Sequence, residues 1–253
     1  MNTMNTANPT GTLPKTAPGG LSALGLKLLA MALMLCDHLW ASVASDQAWL
    51  THIGRIAFPI FAFQIAEGFA RTHDRKRYLL RMLAFAAVSE IPFNLFYAGT
   101  AVYPFHQNVM FTFVLAILLL LGVEKFRAKG RIAYLLAAAA AVVLGYALGT
   151  VTMVDYYGCG VVTVLLFYLC RGWKWGWLPE LAGLLYLNGV VLAGEELTAF
   201  GVTFPEQGLA VLALVPILCY RGRQGSHSRA IQYACYAFYP VHMLVLALVQ
   251  RLG

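Results

Sequence analysis

Charge is what this sequence has least of. Asp, Glu, Lys and Arg make up 11% of 253 residues, where a soluble domain carries about 25%. So few charges cannot clothe a water-facing surface, which excludes the ordinary soluble class. Paired cysteines are missing too. Cys36, Cys159, Cys170, Cys219 and Cys235 form no C-x-x-C pair, and most lie in apolar runs. A thiol there behaves as a small hydrophobe, so neither a disulfide framework nor a metal site is expected. Internal repeats of the kind many transporters carry are not visible. No polar stretch between the apolar runs is long enough for a soluble domain.

What is present is apolar: 60% of the residues are hydrophobic. About 20 such residues in a row cross a bilayer as a helix. Nine candidate segments run over 21–43, 53–70, 78–98, 108–123, 132–149, 157–170, 176–194, 206–220 and 231–250. The sixth and eighth are short, which leaves eight or ten spans open. Backbone polar groups in lipid must be satisfied within the chain. The expected fold is therefore all-α, a polytopic membrane helical bundle of about nine transmembrane helices. Residues 1–20, rich in Thr, Asn, Pro and Gly, read as a disordered tail. Residues 21–253 read as one integral-membrane domain. ASVAS at 41–45 looks like a signal-peptide cleavage site, but Asp37-His38 interrupts the apolar run before it, so cleavage is not expected.

The cations set the orientation. RTHDRKRYLLR (71–81), EKFRAKGR (124–131), RGWK (171–174) and YRGRQGSHSR (220–229) are basic. They alternate with AGTAVYPFHQN (98–108), GTVTMVD (149–155) and GEELTAFGVTFPEQ (194–207), which hold no Lys or Arg. With nine spans, only Arg55 and Arg251 of 18 Lys and Arg fall on the side opposite the basic loops. The positive-inside rule then puts the N-terminus in the cytoplasm and the C-terminus outside. The formal charge of +7 is a topology signal, and no nucleic-acid partner is needed to explain it.

Ionisable groups inside spans are costly and are usually functional. Lys27 and His38 are eleven residues apart; at about 100° per residue that is about 20° from three full turns, and about 16 Å along the axis. Both lie on one stripe, the cation towards the cytoplasm and the imidazole in the outer half. Asp37 points to a neighbouring face. Arg55, Glu90, Asn94, Asn108 and His242 also gather in the outer half. Plainer roles exist for several of these. Lys27 is placed to snorkel to headgroups, His242 to pack, and Glu67 to pair with Arg71 at i+4. Asp155, Glu206 and Gln207 read equally as wet loop ends. A histidine is the natural base near neutral pH. The Lys27–His38 spacing suits a donor with phosphates at one end and a thioester at the end of a long arm, as in an acyl-CoA.

LKLLAMALMLCDH (26–38), IGRIAFPIFAFQIAEGF (53–69), RKRYLLRMLAFAAVSEIPFNLF (75–96), YGCG (157–160), YRGRQG (220–225) and FYPVHM (238–243) resemble, in order, the sequence blocks of the TraX family, named for the F-pilin acetylase of conjugative plasmids. A more distant resemblance is to integral-membrane acyltransferases that acetylate cell-surface sugars. Lys27 and His38 match their Arg/Lys-x10-His spacing, and Tyr236, Tyr239 and His242 match a Tyr-x-x-Tyr-x-x-His pattern of their last span. The resemblance implies a bacterial inner-membrane acetyltransferase with acetyl-CoA as donor and His38 catalytic, Asp37 beside it. Lys27, Arg75, Lys76, Arg77 and Arg81 would hold the CoA phosphates. Arg55, Glu90, Asn108 and His242 would serve the substrate side, with Arg55 or Asn108 as a donor to the thioester oxyanion. The acceptor would be pilin or another envelope component near the outer leaflet, and no metal is implied. The rival readings are a transporter using Asp37, His38, Glu90 and His242 as a proton or substrate path, and a non-enzymatic partner in pilus or envelope assembly.

Overall fold

Helix ends are fixed by the residues expected to fix them. In the computed structural model, which describes residues 20–199, 201–226 and 228–252, Ser22 caps α1 (Ala23–Trp40) by accepting from the Gly25 amide at 3.1 Å. Asp74 caps α4 (Arg75–Ala98) through the Arg77 amide at 2.8 Å, and Gly99 at φ 70° ends it in a left-handed turn. Between them lie α2 (Trp49–Gly54) and α3 (Ala57–Arg71). Asn108 caps α5 (Val109–Arg127), accepting from the Met110 amide at 3.0 Å. The chain continues through α6 (Arg131–Val151), α7 (Tyr157–Cys170) and α8 (Trp177–Tyr186), which runs into a π-helical turn, Leu187–Val191. A hairpin of β1 (Glu196–Ala199) and β2 (Val202–Pro205) follows, with Glu196 opposite Pro205. A 3-10 helix (Glu206–Ala213), α9 (Leu214–Leu218) and α10 (Arg229–Leu252) complete the order. The expected disordered tail lies outside the described residues except for Gly20.

The fold is the expected all-α bundle, and the chain is a multi-pass membrane protein. Among the described residues, six helices are long and apolar enough to cross a bilayer: α1, α2 continued by α3, α4, α5, α6 and α10. The other three expected segments fall on shorter rods. α7 has 14 residues, about 21 Å at 1.5 Å per residue, against about 30 Å of hydrocarbon. The expected segment 206–220 is a 3-10 helix before it becomes α, and the loop 194–207 contains the hairpin. Arg55 does not open its span. It sits at the turn between α2 and α3, one short helix inside.

The core is built on α3, α5 and α7, where Phe69, Ile60, Ile117, Leu120, Leu165 and Phe167 are almost wholly enclosed. α6 lies outside α5 and α7 and presents Ile132, Leu136 and Val143 outward, as lipid contact requires. α6 and α7 approach through glycine. Gly145 and Gly149 form a small-xxx-small face. A Cβ on Gly158 would strike the Tyr146 backbone, 2.6 Å from its Cα. The YGCG block is therefore a packing surface. YRGRQG, in turn, locks the start of α1. The Ala23 and Leu24 amides, left without partners in the first turn of a helix, donate to the carbonyls of Arg223 at 2.8 Å and Gln224 at 3.2 Å.

Gly158→Ala is expected to lower the thermal midpoint of the detergent-purified protein and its folded yield, because backbone cannot move aside as a side chain can. Gly122→Ala, in the interior of α5 with nothing within 4 Å of its added Cβ, is expected to match wild type or stabilise it by about 0.5–1 kcal/mol. Melting both variants by tryptophan fluorescence checks the pair.

Candidate functional site

A cavity of about 510 Å³ lies between α1, α3, α4, the start of α5 and α10. Lys27, Arg71, Arg81, Gln224, Ser226 and Ser228 line its polar end. Leu26, Met31, Phe63 and Met82 give it apolar walls, and Met34, Phe238 and Tyr239 line its deep end. Met34 is one helical turn before His38, and Phe238 and Tyr239 are one turn before His242.

The two histidines meet just beyond the cavity. His38 Nδ1 lies 2.7 Å from His242 Nε2, the rings tilted by only 9°. His242 Nδ1 lies 2.7 Å from the Phe238 carbonyl oxygen, one turn back in α10. A carbonyl can only accept, so His242 Nδ1 carries hydrogen. In a neutral ring its Nε2 is then an acceptor, which requires His38 to donate from Nδ1. The remaining nitrogen, His38 Nε2, is left with a free lone pair. The chain of contacts thus selects the tautomer of His38 that can take up a proton at Nε2. Phe96 and Phe238 flank the pair, at 5.4 Å from the His38 ring and 4.6 Å from the His242 ring.

A separate ionic cluster sits beside α1. Asp37 Oδ1 is 3.1 Å from Arg55 Nη2 and accepts from Thr51 Oγ1 at 2.9 Å. Arg55 also donates to Thr51 and, at 3.3 Å, to Gln207 Oε1. Gln207 Nε2 donates to Asn188 Oδ1 at 3.0 Å, which reaches the π-helical turn. Glu206 approaches Arg55 at 3.8 Å. Gly54 makes room for this cluster, because a Cβ there would collide with Asp37. Nearby, the 153–157 turn holds Met153, Tyr156 and Tyr157 at positive φ. Tyr156 stacks on Phe58 at 3.9 Å, and its burial, helped by neighbouring Asp155, pushes its hydroxyl well above the ordinary range. That hydroxyl stays protonated.

The expected site residues therefore separate into groups. His38 and His242 touch, and Lys27 and Arg81 line the cavity that leads to them. Asp37 and Arg55 bind each other, and Asp37 makes no hydrogen bond to His38. Glu90 and Asn108 also bind each other: Asn108 Nδ2 donates to Glu90 at 2.5 Å and to the Ala86 carbonyl at 2.9 Å. The structure does not bring Arg75, Lys76 and Arg77 to the cavity. Arg75 is held by Glu124 at 3.3 Å and lies over the Phe69 ring, Arg77 pairs with Asp74 at 3.4 Å, and Lys76 is exposed. Arg71, one of the 71–81 cations that the sequence offers to the donor phosphates, lines the cavity as well as pairing with Glu67. That pair forms at 2.7 Å, and Arg171, which sequence reasoning missed, joins it at 2.6 Å. Gln64, also missed, lines the cavity. The spacing of Gln64, Glu67 and Arg71, at i, i+3 and i+7, was a readable polar stripe on an apolar helix.

The family model described as TraX protein matches residues 22–250. The chain belongs to the TraX family. Among curated proteins, it is 28% identical over 244 residues to a protein named probable fimbrial assembly protein FimC, serogroup H1, of Dichelobacter nodosus, covering 89% of this chain and 94% of that protein. It is 32% identical over 93 residues to Protein TraX of Escherichia coli (strain K12), covering 36% of each. No solved structure matches it. The residues matched by the TraX model include α1, the 220–225 lock and most of α10, and so both histidines.

Arg55→Met is expected to destabilise the fold by about 3 kcal/mol, since it leaves Asp37 and Glu206 without their cation in a largely enclosed place. Asp37→Asn added to Arg55→Met should recover part of that loss. Thermal melts of the single and double variants measure the coupling.

Proposed function

We propose that this chain is a membrane-embedded acyltransferase that moves an acetyl group from acetyl-CoA to an amine or hydroxyl of an envelope acceptor. The observation that carries the reading is the cavity that leads from Lys27, Arg71 and Arg81 to within one helical turn of the His38–His242 pair. Cations suit the CoA phosphates, which they hold through charge-assisted hydrogen bonds. The apolar wall suits the long arm, and the thioester arrives beside the histidines. His38 Nε2 then takes the proton of the attacking amine or hydroxyl as general base. The leaving sulfur collects that proton, giving free CoA and the acetylated acceptor. His242 positions His38 and fixes its tautomer.

The names of the relatives support an acceptor class. One is named for fimbrial assembly, and a pilus or fimbrial subunit amine is the acceptor that best joins that name to acyl transfer. In this reading the chain sits in a bacterial inner membrane with nine spans. Its basic loops and N-terminus face the cytoplasm, where acetyl-CoA is, and its C-terminus faces outward. The transporter reading needs Asp37, His38, Glu90 and His242 in one path. Of these only His38 and His242 are hydrogen-bonded to each other, while Asp37 is held by Arg55 and Glu90 by Asn108.

His38→Ala should lower acetyl transfer from radiolabelled acetyl-CoA to envelope material by ~10²–10⁴-fold, the usual loss for a general base, while the protein still inserts and folds. Turnover at the wild-type rate by folded His38→Ala protein would sink the assignment.

The donor end is tested separately. Lys27→Gln should weaken binding of a non-hydrolysable acetyl-CoA analogue, and Lys27→Arg should keep most of it. A lysine that only snorkels predicts equal affinities for Lys27→Gln and wild type by isothermal titration.

A further inference from the structure

Among the described residues, six buried side-chain atoms lack a hydrogen-bond partner. Three of them, Gln64 Oε1, Arg81 Nε and the Tyr239 hydroxyl, belong to residues lining the one cavity that leads to the histidines. Buried polar atoms are almost always paired, and three orphans around one cavity, contributed by α3, α4 and α10, call for a partner that a polar ligand would supply. Tyr239 stands out because it is at the deep end. It is 3% exposed, packs with Met34, Phe93 and Met243, and lies one turn before His242 on α10, their rings 5.9 Å apart.

Acyl transfer needs a hydrogen-bond donor at the thioester oxygen, where negative charge gathers as the carbonyl carbon becomes tetrahedral. The two residues that the sequence suggested for this, Arg55 and Asn108, are engaged. Arg55 is bonded to Asp37, Thr51 and Gln207, and the Asn108 side-chain amide to Glu90 and Ala86. The Tyr239 hydroxyl is a donor without an acceptor, on a ring 5.9 Å from that of His242, the hydrogen-bond partner of His38. We infer that Tyr239 is a catalytic residue whose hydroxyl donates to the acyl carbonyl of the donor and stabilises the oxyanion. This inference rests on the acyltransferase reading.

The step balances. The acceptor lone pair forms a bond to the carbonyl carbon, and the carbonyl π pair moves onto oxygen, which the Tyr239 hydroxyl holds by a hydrogen bond without giving up its proton. His38 Nε2 removes the proton of the attacking atom. When the oxygen pair returns, the carbon–sulfur bond breaks and the sulfur takes the proton from His38. No oxidant, reductant or metal is needed.

The test uses full-length protein and Tyr239→Phe, with a dethia analogue of acetyl-CoA whose ketone carbonyl is carbon-13 labelled. Isotope-edited infrared spectroscopy should place the carbonyl stretch of the analogue lower on wild type than in solution, and Tyr239→Phe should abolish that displacement. With acetyl-CoA, Tyr239→Phe should lose ~10²–10³-fold in kcat, the loss typical of one oxyanion donor, with little change in KM. Its melting temperature should equal or exceed that of wild type, because phenylalanine removes an unpaired buried hydroxyl. An equal carbonyl displacement in both proteins, or a loss of kcat that only follows a loss of folded protein, overturns the role of Tyr239 and leaves the acyltransferase reading standing. Failure of wild type to bind the analogue overturns that reading, and the role of Tyr239 with it.

Discussion

The hydrogen bond between His38 Nδ1 and His242 Nε2 is the contact on which the arrangement of the candidate site depends. It joins the two helices that flank the cavity, α1 and α10, and it does so at the cavity's deep end. Two imidazoles in an apolar setting have few ways to be satisfied. The Phe238 carbonyl removes one choice, the bond between the rings removes the next, and the result is one basic nitrogen. Neither ring needs a carboxylate for this. A backbone carbonyl does the orienting that an acid does in many catalytic triads, and it adds no net charge to a membrane interior.

The polar groups around this pair are organised so that few compete with it. Asp37 is adjacent in sequence to His38 but turned to Arg55, which ties α1 to the α2–α3 turn and, through Gln207, to the π-helical turn. Glu90 is turned to Asn108 and joins α4 to α5. Glu67 gathers Arg71 and Arg171, which joins α3 to the end of α7. Each of these three acids is held where it helps to join two segments, Asp37 and Glu67 by arginine and Glu90 by an amide. The cavity wall is the exception, since several of its polar atoms are left without partners.

How much of this was legible in the sequence depended on distance along the chain. Each of the nine apolar segments falls on a helical rod, because hydropathy and 3.6-residue periodicity are local. Length alone did not tell a rod that crosses lipid unaided from one enclosed by neighbours, as α7 is. Nor did it show that 206–213 winds as a 3-10 helix or that 196–205 pairs as a hairpin. The Lys27–His38 stripe was readable because both residues belong to one helix. The bond from His38 to His242 spans 204 residues and leaves no mark in spacing. The position of Arg75, Lys76 and Arg77 away from the cavity was not legible for a related reason. A run of cations reads the same whether it faces a cavity, an acid on the next helix or water, and only the fold shows that Glu124 and Asp74 claim two of them.

The placement of His242 also has a consequence for biosynthesis. A polytopic chain is made from its N-terminus, and α1 enters the membrane long before α10 is translated. Until α10 inserts and packs on α4, His38 has no neighbour to choose between its two nitrogens, and the deep end of the cavity lacks a wall. The nascent protein therefore carries His38 from the start, but its tautomer is fixed only when α10 is in place. Completion of the candidate site and completed insertion are thus tied to the same event.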